Sequence, residues 1–351
     1  MQVVNSAKVA WVVAREGGRL VGDALGDLTG TSVPFKAQDV VHPEILSRLI
    51  NTGTLQPGSK PVTISAVRRQ AIPSVSSNCH NLVLSIEQAG EPTLPTSLFV
   101  KLPLESRATR WFFSIINAWR VESHFFRHVA RELPLRTPVT FATRCQGTRF
   151  YLVQENLHDD PRVELFTNPD MLAGPSLAQA RRCLDTLARL HASHYGLGAP
   201  ERERILPLAF HPFLSPSMGM VSRRLNRHAL KPCMKKCPGV IPADVVRSYQ
   251  LSVNNWDALL EYWFSGPLSL LHGDSHLGNF FACGDEMGML DWQATHWGKG
   301  IRDVQYFLID SLPSATLAAH EQELVDYYVQ RRAHYGAAID AAAAWQDYRS
   351  F

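Results

Sequence analysis

The segment from Leu270 to Gln293 constrains the fold more than any other part of the 351-residue chain. It reads apolar strand, polar loop, apolar strand, the turn Gly284-Asp285, a further apolar strand, then Asp291. Short apolar runs bounded by Gly and Asp favour strands over a helix. Within the polar loop, His272, Asp274 and Asn279 stand in the spacing His-x-Asp-x4-Asn. Chance alone yields about 0.02 such matches in a chain of this composition, before a later strand-borne Asp is also required. Phosphoryl transfer needs parts of this kind. One carboxylate accepts the proton of the attacking hydroxyl, and an acid with an amide oxygen holds Mg2+ against the phosphates. The plainer alternative is a polar hairpin whose Asp and Asn merely cap turns.

The rest of the chain falls into two textures. Helix is expected over the first ~50 residues, notably Ala37–Ile50, with Asn51–Gly53 as its stop. Strands follow at Val62–Val67, Asn81–Ile86 and Ser97–Leu102, then one helical stretch from Trp111 to Leu133, then strands at Pro138–Arg144 and Arg149–Gln154. Beyond Asn156 helices dominate. Ser176–Tyr195 is the clearest, with Ser176 as N-cap and Gly196 as stop. Residues 245–263 and 316–345 are also helix-like, and a Pro-rich stretch over 199–243 reads as irregular. The expected layout is α+β and bilobal. It has a helical extension over 1–52, a small antiparallel-sheet lobe with one long helix over 53–156, and a larger, mainly helical lobe over 157–351. No repeat of 20–50 residues is present, which excludes solenoids and propellers.

Composition bounds the function. A net charge of +3 lacks the basic excess of a dedicated nucleic-acid binder. The 45% hydrophobic content excludes wholesale disorder. No apolar run approaches the ~20 residues of a membrane span, and Met1–Gly30 lacks a signal-peptide pattern, so a cytoplasmic chain is expected. The six cysteines are scattered and read as reduced thiols. Cys233 and Cys237 are the one pair with a metal-like spacing, and His191 and His194 lie three apart on a helix. Oligomeric state is open. Ala341–Phe351 reads as a helix still open at its C-terminal end, which suits a longer natural chain.

Upstream of the loop, Lys101 sits in an alternating strand, the context of a phosphate-binding lysine. Its expected partner is Glu122 on the following helix, in preference to Glu105 before the helix or Glu132 near its end. Glu155 and Leu157 lie where the lobes would hinge and where backbone groups would meet adenine.

The motifs FVK (99–101), VESHFF (121–126), LVQENL (152–157), LARLHA (187–192), HGDSHLGN (272–279) and LDWQ (290–293) occur in this order. The chain thereby resembles the aminoglycoside phosphotransferase/choline kinase-like superfamily, and within it the ecdysteroid kinase-like branch, from about Leu55 to Tyr328. The resemblance implies a protein kinase-like fold that uses ATP and Mg2+ to phosphorylate the hydroxyl of a small-molecule acceptor. By position, Asp274 would be the catalytic base, with His272 shaping the loop. Asn279 and Asp291 would hold the metal, and Lys101 would contact phosphates. Asp303 would brace the loop. One departure concerns the turn over 71–81, which contains no glycine. Ser76 and Ser77, with Ser74 and Asn78, would have to replace the close backbone approach that glycine permits. That departure keeps open a non-catalytic nucleotide-binding protein on the same fold.

The acceptor is hinted at only by charge. Glu201–Arg247 carries nine basic and three acidic residues, which leaves the remainder of the chain at −3. Such a segment would repel a polycationic aminoglycoside if it lined the acceptor site. It suits a neutral, apolar or anionic alcohol, such as a steroid-like one, against Phe210, Phe213, Leu214, Met218 and Met220. A solvated basic face is the simpler alternative.

Overall fold

The computed structural model describes residues 2–56 (side chains from residue 10), 58–71, 79–207 and 219–351. Two helices come first, α1 (Gln2–Thr29) and α2 (Pro43–Gly53). The strands β1 (Ile64–Gln70), β2 (Cys79–Gln88) and β3 (Ser97–Pro103) follow, then α3 (Arg107–Ile115), α4 (Ala118–His128), β4 (Thr140–Gln146) and β5 (Arg149–Glu155). The five strands form one antiparallel sheet in the order β1-β2-β3-β5-β4.

The two-residue period of a strand sorts this sheet into two faces. Leu98, Val100 and Leu102 of β3, with Tyr151 and Val153 of β5, join Leu46, Leu49 and Ile50 of α2 in one apolar cluster. Phe150 and Leu152 of β5 point the other way, into a cluster with Trp119, Phe125 and Phe126 of α4. Lys101 lies opposite Leu152 in the β3–β5 register and therefore faces α4.

The expected single helix over 111–133 is divided into α3, α4 and a short 3-10 turn at Ala130–Glu132. The break falls at Asn117, whose φ of 58° lies in the left-handed region that Asn tolerates better than most residues. The division lets Trp119 stack between Phe113 and Phe150, with ring centroids 5.4 Å apart on each side. Glu16 of α1 is fully buried and meets Ser114 and Arg120 across this junction.

The second half begins with β6 (Val163–Leu165), α5 (Asn168–Ala173), α6 (Leu177–Ser193), α7 (Ala199–Ile205), α8 (Gly219–Lys236), α9 (Ala243–Asn254) and α10 (Trp256–Trp263). Then come β7 (Ser269–Leu271), β8 (Phe280–Cys283), β9 (Glu286–Met289), β10 (His296–Gly298), α11 (Ile301–Ser311), α12 (Ser314–His334) and α13 (Ala341–Tyr348). Ser176 caps α6 in a reciprocal capping box with Gln179, as expected. The stretch expected to be irregular holds α7 and α8 instead. Pro200 sits in the first turn of α7, where its missing N–H costs nothing, and α8 runs through Pro232 along an exposed face. The helix expected over 316–345 is interrupted between α12 and α13 at Gly336, whose φ is +80°. No described helix is long and apolar enough to cross a membrane.

Candidate active site

The loop between β7 and β8 is set from beneath by Asp303, the third residue of α11. Its carboxylate accepts the backbone N–H of His272 at Oδ2 (2.7 Å) and of Gly273 at Oδ1 (3.0 Å). Its own carbonyl accepts the Ser275 hydroxyl at 2.7 Å. Gly273 has φ +85°, and a Cβ there would lie 2.2 Å from the Ala294 carbonyl oxygen, so the turn demands glycine. Burial would raise the Asp303 carboxyl, but the His191 hydrogen bond and the surrounding His191, His272 and Arg302 side chains together outweigh it and hold the group at about 2.

His191 itself is buried, and burial pushes its ring below the usual histidine range. The neutral ring donates from Nε2 to Asp303 Oδ2 (3.2 Å) and accepts the Tyr328 hydroxyl at Nδ1 (2.8 Å). His194 instead meets Ser193 Oγ at 2.8 Å, so the two α6 histidines do not act as a pair. His272 donates from Nε2 to the Leu290 carbonyl (2.9 Å) and accepts the Asp274 N–H at Nδ1 (3.3 Å). Its side chain ties the loop to the strand that leads into Asp291.

On the open side of the loop, the Asp274 side chain is 30% exposed. Asn279 Nδ2 donates to the Asp274 carbonyl at 2.7 Å and reaches its carboxylate at 3.3 Å. Tyr306 on α11 also faces Asp274. Burial, the Asp274 charge and their hydrogen bond all push the phenol above its usual range.

The two halves meet at Lys101. Its ammonium donates to Glu122 Oε1 and to Asp291 Oδ1, each at 2.9 Å. Burial works against the charged lysine, but Asp291 and Glu122 outweigh it and keep the ammonium protonated. Asp291 is one of two described non-glycine residues with positive φ (61°), a conformation that costs on the order of 1 kcal/mol and persists only where the surroundings impose it. The next residue, Trp292, stacks on Phe125 of α4 at 4.0 Å and meets the His272 ring edge-on at 4.6 Å. The helix that carries Glu122 is thus packed directly onto the segment that carries Asp291.

The structure brings Lys101, Glu122 and Asp291 together, and Asp274, His272 and Asn279 into one loop. Glu155 is committed elsewhere. Both its oxygens take Arg136 (2.6 and 3.0 Å), and Oε1 also accepts the Val139 N–H. Leu157 is buried in a 3-10 turn capped by Asn156. Ser76 and Ser77, with Ser74 and Asn78, lie outside the described residues. Sequence reasoning missed the support from His191, Tyr328 and Trp292. His191 stands in the LARLHA motif and three residues from His194, but nothing local in sequence links it to Asp303, 112 residues away.

The donor set fits Mg2+ and phosphate. Asn279 Nδ2 is used by Asp274, which leaves the amide oxygen as that side chain's other polar atom, and Asp291 Oδ2 is the carboxylate oxygen not bonded to Lys101. Hard oxygen donors of this kind are the ones magnesium selects. The described cysteines are all free, and among the described residues no group of three or more His, Cys, Asp or Glu side chains is arranged to hold a metal.

Sheet, paired lysine and loop together define a bilobal kinase-like fold. A model of the Ecdysteroid kinase-like family matches residues 75–335, and the chain belongs to that family. Among solved structures, choline kinase from Cryptosporidium parvum is 11% identical, covering 88% of this chain and 84% of its own, with a TM-score of 0.51. A choline/ethanolamine kinase family protein from Mesorhizobium loti is 15% identical over 89% and 82%, with a TM-score of 0.43. A glucosamine kinase is 15% identical over 91% and 85%, with a TM-score of 0.45. A search of curated proteins found no match. The family and these neighbours are phosphotransferases acting on small-molecule hydroxyls.

Proposed function

We propose that this chain is an ATP- and Mg2+-dependent kinase that phosphorylates a hydroxyl of a neutral, apolar or anionic small molecule. The observation that carries the reading is the Lys101 ammonium held at 2.9 Å from both Glu122 and Asp291. Such an arrangement aims a fixed positive charge at a site where two further oxygen donors converge. Bound MgATP would supply the phosphoryl group and much of the charge neutralisation that makes its transfer possible. The protein's share is positioning and proton handling. Asp274, the less enclosed of the loop's carboxylates, accepts the proton of the acceptor hydroxyl. Asn279 and Asp291 hold the cation, Lys101 meets phosphate oxygens, and Glu122 keeps Lys101 in place. His272 and Asp303 are positioning residues that fix the Asp274 backbone.

The acceptor class rests on charge. Arg224, Arg227, Lys231, Lys235 and Lys236 are exposed on α8, a field that disfavours a polycation. A steroid-like alcohol agrees with that field and with the family's description. Phe210, Phe213, Leu214 and Met218, the apolar residues invoked for such an acceptor, lie outside the described residues.

The test is a screen of hydroxylated metabolites, sterols and aminoglycosides with MgATP, read as acceptor-dependent ADP release against an Asp274→Asn control. Selective turnover of an apolar or anionic alcohol is expected. Efficient, selective phosphorylation of aminoglycosides would overturn the acceptor class. No acceptor-dependent release across the library would point to the non-catalytic alternative.

A further inference from the structure

The outward side of α1 is apolar and its inward side is charged, the reverse of an ordinary surface helix. Toward the body, Glu16 meets Ser114 and Arg120, Asp23 accepts the Thr148 N–H at 3.0 Å, and Asp27 pairs with Arg149 at 2.6 Å. Toward solvent, Trp11, Val21, Leu25 and Leu28 are 59–85% exposed and join no apolar cluster of the described residues. Contiguous exposed apolar surface of this kind marks an interaction site.

Its spacing is that of a helix-pairing seam. Trp11, Ala14, Gly18, Val21, Leu25 and Leu28 alternate three and four residues apart, as the a and d positions of a heptad do. A Cβ at Gly18 or at the neighbouring Gly22 would meet nothing within 4 Å. Glycine inside a helix is a standing cost relative to alanine, and nothing among the described residues requires it at these two positions. A fluid lipid layer has no use for such a gap, whereas a second helix uses it for close approach.

The seam is also its own complement. Laid antiparallel on a second copy about a two-fold axis midway between Gly18 and Val21, every a position meets a d position. Trp11 then falls against Leu28 of the second copy, Ala14 against Leu25 and Gly18 against Val21. Large is set against small through the four inner layers, the interdigitation that close packing requires. Arg15, which borders the seam, falls nearest Gly22 of the second copy and not a like charge. A parallel pairing would set Gly18 on Gly18 and Trp11 on Trp11, with a void beside a clash.

We propose that α1 is an interface between two copies of this chain, paired antiparallel with Gly18 of each against Val21 of the other. Such a contact is isologous and closes on itself as a dimer. The seam from Trp11 to Leu28 is about 27 Å long, short for a standard interface, so the pairing is reversible and concentration-dependent.

The experiment is sedimentation of the intact protein from about 1 to about 200 µM, the range suited to a small, reversible interface. Weight-average mass should rise from that of one chain toward that of two. Gly18→Glu and Val21→Lys, each alone, should stay monomeric throughout. At dilute concentration Gly18→Glu should melt no lower than wild type, since a Cβ there meets nothing in the chain and glutamate is the better helix former. Mixed in equal amounts, the two variants should dimerise again, because the antiparallel register sets the new carboxylate of one against the new ammonium of the other. The proposal is overturned if wild type is monomeric at every concentration, if association persists in both single variants, or if the mixture stays monomeric. Flotation with vesicles of phosphatidylcholine and phosphatidylglycerol is the remaining arm. Wild-type protein that does not self-associate, yet binds vesicles and loses that binding in Gly18→Glu, would assign the face to lipid and likewise overturn the proposal.

Discussion

Two aspartates serve the same loop in opposite environments. Asp303 is 1% exposed at its side chain and receives two backbone N–H groups and His191. Asp274 is 30% exposed at its side chain and is met by Asn279 at 3.3 Å, with His276 Nε2 at 3.9 Å. A carboxylate that accepts three hydrogen bonds in a dry setting holds backbone in place. One left reachable, beside an amide N–H and a histidine, is free to exchange protons with a substrate. The difference separates frame from chemistry between two residues that serve one loop.

The largest effect should come from the residue that joins both halves. Lys101→Met leaves the buried Glu122 and the neighbouring Asp291 without their cation. It should cost about 3–5 kcal/mol in denaturant unfolding and abolish phosphoryl transfer. Retained activity in a folded Lys101→Met protein would break the assignment.

Next in size is Asp303→Asn, which replaces one acceptor oxygen with a donor facing buried N–H groups. A loss of about 3 kcal/mol is expected from chemical denaturation, along with weaker activity because the loop loses its brace. If stability held while transfer alone vanished, the contrast between the two aspartates would be reversed.

Acid should expose the same contrast. The Asp303 carboxyl is lowered from 3.8 to about 2 in the folded protein. A depressed pKa contributes stability fully above the unfolded value, and that contribution is lost as pH falls through the folded one. About 2 kcal/mol should therefore disappear between pH ~4 and ~2, and Asp303→Asn should remove that part of the acid dependence. An identical acid profile in the variant would contradict the framing role.

The smallest effect belongs to Glu155→Gln, which weakens a partly exposed pair with Arg136. It should cost about 1 kcal/mol and leave the affinity for MgATP near wild type. A large loss of nucleotide affinity would instead restore Glu155 as a binding side chain.

Much of the site was legible because its parts are local. His272, Asp274 and Asn279 lie within one loop, and Lys101 within one alternating strand. Glu122 could be chosen because Glu105 precedes the helix and Glu132 lies near its end. The rear support was not legible, since Tyr328 meets His191 and His191 meets Asp303 only through the packing of α6, α11 and α12. The fold followed the same rule. Strand alternation survived, while the break at Asn117 and the helix through Pro232 depended on aromatic stacking and exposure that no local pattern records.

The central claim is that Asp274 accepts a proton from the acceptor during phosphoryl transfer. The direct measurement is the single-turnover rate of γ-phosphoryl transfer in wild type and Asp274→Asn at matched MgATP occupancy. The account predicts a fall of roughly 10²–10⁴-fold, with MgATP affinity and Tm essentially unchanged. Transfer within a few-fold of wild type would contradict it.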